Sequence, residues 1–250
     1  MTDGSAAIPD FPMTRDFRAL HDAVFTVLPT EDGPEAAEYD QRRSRFLGYA
    51  FPARSADQVA DVVLRIRRGH DGARHVVHAA VLAGDGTGSR SVAVHMSDDG
   101  EPSGTAARPI LDVLRTRRIE NALVVVVRYF GGVLLGAPGL VRAYSAAATA
   151  ALDHARLARL VPFRRFQVVV GYAFLDRLDH MVSRMGGRRE DSSYSDRVEA
   201  DVVVPDAAAE SFLGEVARVS AGRLVPQDRG VVRRAIPVVR ESAPGGDSVV

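Results

Sequence analysis

The sequence predicts an α+β protein of two domains, and three observations carry this reading. The chain has 250 residues with 46% hydrophobic content, enough to bury more than one small core. Apolar stretches of period two, which read as strands, alternate with stretches of helical period. After about residue 160 the character changes, and the element order becomes β-α-β-β-α-β, the split βαβ pattern of a ferredoxin-like domain.

Taken in order, residues 1–37 mix Pro, Gly and acids around one short apolar patch and read as a loosely attached extension. The first domain spans 38–160. "EYDQRRSRFLGYAFPA" gives two short strands around a turn. "SADQVADVVLRIRRGH" follows as a helix capped by Ser55, with Val59, Val62, Val63 and Ile66 on one face. "ARHVVHAAVLAG" and "SVAVHM" are strands joined by the hairpin turn "DGTGSR". "PILDVLRTRRI" is helical, and the nearly continuous apolar run "ALVVVVRYF" is a strand covered by helices. "LVRAYSAAATAALDHARLA" is an alanine-rich helix whose small side chains permit close packing. The second domain spans 161–240. Its strands are "FRRFQVVVGY", a short one through Tyr194, "RVEADVVVP" and "GVVRRAIPVVR". Its helices are "FLDRLDHMVSRMGG", ended by Gly186–Gly187, and "DAAAESFLGEVARVS". Residues 241–250 read as a disordered tail.

The 32 basic residues, all arginine, balance 32 acidic ones, so any attraction to nucleic acid must come from a local patch. The chain lacks cysteine, which excludes disulfides, thiolate nucleophiles and Cys-ligated zinc. With neither a secretory signal pattern nor an apolar run of about 18 residues, a cytoplasmic protein without membrane contact is expected.

Chemistry concentrates in "SDDGEPSGTAARP", Ser97 to Pro109, and in "RYFGGVLLGAPGLVRAY". In the first, Ser103 or Thr105 can cap the helix that follows, and Asp98, Asp99 and Glu101 lie near its positive end. Capping explains where the acids stand but not how many there are. Three adjacent carboxylates can hold a cation, order arginines or receive a basic partner. The expected role is to orient arginines and the partner, with no metal and no cofactor. In the second stretch, Gly131 and Gly132 allow close backbone approach. Arg128 and Tyr129 end a strand on opposite faces, while Arg142 and Tyr144 lie in the next helix. The stretch matches neither a phosphate-binding Walker loop nor a dinucleotide fingerprint. His75 and His78 face opposite ways in a strand and cannot share a metal, and His70 belongs to a turn. The acidic loop is expected beside the "RYFGG" turn, with Arg128 and Arg142 as the cationic part of a polyanion-binding surface and Tyr129 or Tyr144 stacking on a base.

"RSRFLGYA", "DGARH", "SDDGEPSGTAARPILDVL" and "VVVVRYFGGVLLGAPGLVRAY" together resemble the YigZ/IMPACT family of bacterial proteins and eukaryotic translation regulators. The resemblance implies a first domain like the second domain of a small-subunit ribosomal protein, a fold shared with elongation factor G and small-metabolite kinases. It implies a second domain like the last domain of elongation factor G. It also implies a non-enzymatic module that binds RNA, the ribosome or a translation-associated protein, DNA not being expected. Its site residues would be Asp98, Asp99, Glu101, Ser103, Thr105, Arg128, Tyr129, Gly131, Gly132, Arg142, Tyr144 and His75. The alternative is a small-molecule enzyme acting on a nucleotide or phosphate ester. Val76, Ala107 and Pro138 depart from the family pattern, and Pro138 stiffens the glycine-rich turn against the kinase-like reading.

Overall fold

The computed structural model describes residues 23–84 and 91–238. The expected hairpin turn at 85–90, most of the predicted extension (1–22) and the predicted tail lie outside them. The chain divides into two compact units, Val24–Gly84 with Val92–Arg159 and Leu160–Ile236, and both mix strands and helices as an α+β protein should.

In the first unit the elements are β1 (Val24–Val27), β2 (Ala37–Gln41), β3 (Ser44–Pro52), α1 (Ala56–Gly69), β4 (His75–Leu82), β5 (Ala93–Ser97), α2 (Ala107–Thr116), β6 (Ala122–Tyr129) and α3 (Ala137–His154). The sheet order is β2-β3-β6-β4-β5, and every neighbouring pair is antiparallel. The apolar run of β6 has a simple cause. Val124 and Val126 point into a core built with Ile110, Leu114, Ala143 and Tyr144 of α2 and α3. Leu123, Val125 and Val127 point into the opposite core with Val59, Val62, Val63 and Ile66 of α1. Both faces are covered, so neither may be polar. The alanines of α3 let it approach β3 closely, to the point that a Cβ on Gly48 would stand 2.5 Å from the Ala147 carbonyl oxygen. Ser55 caps α1 as expected, its Oγ accepting from the Gln58 N–H at 3.3 Å.

Part of the segment predicted as an extension belongs to this core. In β1 the Phe25 N–H donates to the Arg118 carbonyl at 2.9 Å, and the Phe25 carbonyl accepts from the Glu120 N–H at 2.8 Å. Val27 is buried with the α2 and α3 residues. Pro, Gly and acids on either side mask this short apolar patch in the sequence.

His78 faces the α1 side with Val76 and Ala80, its ring stacked on His95 at 5.6 Å, and neither ring nitrogen has a hydrogen-bond partner among the described residues. Burial pulls its pKa down to about 4, with His95 adding to the effect. The unfolded chain therefore takes up the proton first. Stability is fully present above pH ~6.5 and falls toward pH 4, by up to about 1.4 kcal/mol per pH unit. Urea titrations across this window should show that slope in the parent and its loss in His78→Phe; equal slopes would refute the assignment.

The second unit contains β7 (Leu157–Val170, entering from the first), α4 (Tyr172–Arg184), β8 (Arg188–Tyr194), β9 (Val198–Pro205), α5 (Ala209–Ser220) and β10 (Gln227–Pro237). Its spatial order β10-β7-β9-β8 places the fourth, first, third and second strands side by side, the ferredoxin-like arrangement. One sheet face packs Phe166, Val168, Val202 and Val204 against Leu178, Val182, Phe212 and Val216 of α4 and α5. The left-handed Gly186, with φ 74°, ends α4, and the Gly187 N–H returns to the Val182 carbonyl at 2.9 Å. Among the described residues no helix is long and apolar enough to cross a membrane.

Candidate functional site

The loop between β5 and α2 turns its carboxylates inward. Asp98 accepts from the Gly104 N–H at 2.9 Å, from Ala106 at 3.2 Å and from Ala107 at 2.8 Å. It is Asp98, not Ser103 or Thr105, that caps α2. Ser103 is exposed, and the Thr105 hydroxyl donates to the Pro102 carbonyl at 2.6 Å. A carboxylate satisfies several amide donors at the positive helix end where one hydroxyl satisfies a single donor.

Asp99 adopts φ 45° and splits its carboxylate between two partners. One oxygen accepts from the Val76 N–H and the other from Arg67 Nη2, both at 2.6 Å. The Asp99 carbonyl oxygen lies 2.8 Å from His75 Nδ1. A carbonyl only accepts, so the proton of a neutral His75 ring sits on Nδ1.

Glu101 is the centre. Its side chain is 3% exposed, and one oxygen accepts from Arg128 Nη1 at 2.6 Å and from the Tyr144 hydroxyl at 2.7 Å, with His75 Nε2 at 3.9 Å. Burial pushes the Tyr144 pKa up, as does the Glu101 charge, so the phenol stays a donor. The Arg128 guanidinium lies 5.5 Å from the Phe46 and Phe130 ring centres. Register explains the meeting, because Phe46, Arg128 and His75 are direct cross-strand neighbours on β3, β6 and β4.

This geometry corrects the expected cationic surface. Arg128 is 5% exposed and Tyr144 is fully buried, so neither offers a surface group. Tyr129 lies on the opposite sheet face, its hydroxyl 2.7 Å from His70 Nδ1, while His70 Nε2 meets the Tyr49 hydroxyl at 3.0 Å. Arg142 is exposed on α3 and Gly132 exposed at φ 81°. The two motifs do lie together, joined through Glu101 and Arg128.

The exposed neighbours are ones the sequence did not single out. After β6 the chain presents Phe130 (38% exposed), Val133 (37%) and Leu134 (80%). The β2–β3 turn runs alongside, with Arg42 and Arg43 exposed at φ 46° and 67°. Ser44 Oγ accepts from the Gly131 N–H at 3.3 Å, and Arg42 reaches the Leu134 carbonyl at 3.5 Å. Arg74 lies 5.6 Å from the Phe130 ring. The signal was the pair Arg42–Arg43 itself, standing where a two-residue hairpin turn favours Asn-Gly.

Among the described residues no group of three or more His, Cys, Asp or Glu side chains is placed to hold a metal ion. Each acid of the loop is already engaged by N–H or guanidinium donors, which a cation would have to displace.

The fold and this inward-turned loop define a two-domain α+β protein: a helix-covered antiparallel sheet braced by a buried Glu–Arg–Tyr cluster, followed by a ferredoxin-like domain. Residues 42–152 match the Impact N-terminal domain and residues 168–223 match DUF1949, a domain of unknown function. IMPACT family member YigZ of Escherichia coli is 32% identical over 183 residues, covering 73% of this chain and 88% of the relative. IMPACT family member YvyE of Bacillus subtilis is 29% identical over 191 residues, covering 76% and 86%. A crystal structure described as that of a hypothetical protein is similar at a TM-score of 0.58 and 29% identity, covering 82% of this chain and 96% of the other. The chain belongs to the IMPACT family.

Proposed function

We propose that the chain is a non-enzymatic regulatory module of translation that docks on the ribosome through the turn Phe130–Leu134 and the flanking Arg42 and Arg43. The observation that carries this is the inward use of Asp98, Asp99, Glu101 and Arg128. They brace the loop, leaving an apolar turn edged by arginines as the exposed feature of the site. Exposed apolar side chains grouped on a rigid turn mark interaction surfaces, and arginine beside an aromatic ring is the composition of binding hot spots. The eukaryotic translation regulators that the family includes supply the partner class.

Ribosome co-sedimentation at low and at physiological salt tests the proposal. The parent should pellet with ribosomes. Leu134→Ser with Phe130→Ser should weaken binding about tenfold or more, a loss of ~1.4 kcal/mol. Arg42→Ala with Arg43→Ala should mainly reduce the salt dependence. A parent that stays in the supernatant and turns over a phosphorylated metabolite would put the enzyme reading in its place.

A further inference from the structure

Between α4 and α5, on the helical side of the second unit, lies a groove of about 450 Å³. Arg177, His180 and Arg184 of α4 line it from one side, and Glu215 and Arg218 of α5 from the other. Its floor is Met181, Met185 and Val219. The α4 residues recur at intervals of three and four and so share one flank of the helix. Leu178 and Val182, on the neighbouring flank, are buried against the sheet.

The charges in this groove do not balance. Glu215 is gripped by both arms of Arg218, with Nε to Oε2 at 2.9 Å. That hydrogen bond, against the opposing effect of burial, holds the Glu215 pKa below its ordinary value; the charges of Arg218, Arg184 and Arg177 add to it. Among the described residues no hydrogen bond or ion pair engages the side chain of Arg177, His180 or Arg184. Four arginines on the strands of the same unit are paired with acids: Arg164 with Asp206 and Asp228, Arg189 with Asp179, and Arg165 and Arg234 with Glu190. The groove thus gathers two arginines and a histidine beside the Arg218–Glu215 pair, more positive charge than its one carboxylate offsets.

We propose that this groove binds the sugar–phosphate backbone of single-stranded RNA, with Arg177 and Arg184 on successive phosphates and a base resting on the methionine floor. Arg177 and Arg184 stand seven residues apart, about 10 Å along the helix, so the row suits a strand of charges better than a point anion. Guanidinium forks fit phosphate, and their planes also stack on bases, a contact that an acidic peptide would leave unused. Methionine is unbranched and polarizable, and it seats any base, which predicts little sequence preference. The site lies in a different domain from the ribosome-docking turn and does not depend on it.

The test is anisotropy of a fluorescent oligouridylate titrated with the full chain at low and at physiological salt. Affinity should fall with salt, and Arg177→Gln with Arg184→Gln should lower the slope of log affinity against log salt by about 1.4, or ~0.7 for each phosphate no longer neutralised. Arg177→Lys with Arg184→Lys, which keeps the charges, should keep the slope. Both arginines are exposed, and unchanged urea midpoints verify the fold. A parent that does not bind the RNA, or a glutamine variant with parental affinity and slope, overturns the proposal. So does polyglutamate that displaces the RNA at equal charge concentration, because the groove would then be an acidic-peptide site. Free RNA is the probe throughout, so ribosome pelleting can fail or succeed without altering this result.

Discussion

Glu101→Ala should destabilise the first domain by about 3–5 kcal/mol, because it strands a buried guanidinium. Arg128 is 5% exposed and is held by the 2.6 Å ion pair to Glu101; its other contacts are a long 3.5 Å one to Ser44 and the Phe46 and Phe130 rings, none of which carries a counter-charge. Among the described residues its Nε already lacks a partner. Losing the carboxylate also frees the buried Tyr144 hydroxyl. The same argument predicts a rescue. Glu101→Leu combined with Arg128→Met replaces the pair by apolar groups and should recover most of the loss, since buried pairs often do no better than well-packed hydrophobic isosteres. Tyr144→Phe should cost only about 1 kcal/mol, the usual net worth of one hydrogen bond. Urea denaturation of the full chain, followed by probes in the first domain, measures all three. Equal losses for the single and double replacements would mean that Glu101 acts through backbone geometry rather than as a counter-charge.

The elements were legible in the sequence because their periods are strong. The buried valines of β6, the alternation of β9 and the apolar faces of α1 and α4 each announce their element, and the order β-α-β-β-α-β announces the second fold. The site was legible as two motifs and misread as to direction. A sequence cannot tell an inward carboxylate from an outward one, because Glu101 acquires its burial from register. Phe46, Arg128 and His75 become neighbours only when β3, β6 and β4 pair. Asp98 shows the same limit. Its nine-residue reach to the Ala107 N–H depends on a loop that folds back through left-handed Asp99, Gly100 and Gly104. Capping logic, which looks one to three residues ahead of a helix, chose Ser103 or Thr105 instead. The turn at Arg42–Arg43 left a trace, two arginines between alternating strands, but the residue types gave no reason to expect positive φ.

Gly131→Ala should cost about 3 kcal/mol or more, at or beyond the upper end of ordinary overpacking. A Cβ there would lie 2.0 Å from the Arg43 carbonyl oxygen and 2.1 Å from its carbonyl carbon. Backbone cannot swing aside as a long side chain can, so either the β2–β3 turn or the turn after β6 must move. Arg42 and Arg43 already hold left-handed conformations that β-hairpins reserve for Asn and Gly, and they have little freedom left to absorb the shift. Displacing the turn also breaks the hydrogen bond from the Gly131 N–H to Ser44 Oγ and with it the seat of Arg128. Gly132→Ala, one residue on, meets open space and bears only the strain of φ 81°. It should therefore cost less, on the order of 1–2 kcal/mol. Paired urea titrations separate the two effects, and ribosome co-sedimentation should follow the same order, with Gly131→Ala the weaker binder. If Gly132→Ala proved the more damaging, the close approach of the two turns would not be what organises this surface.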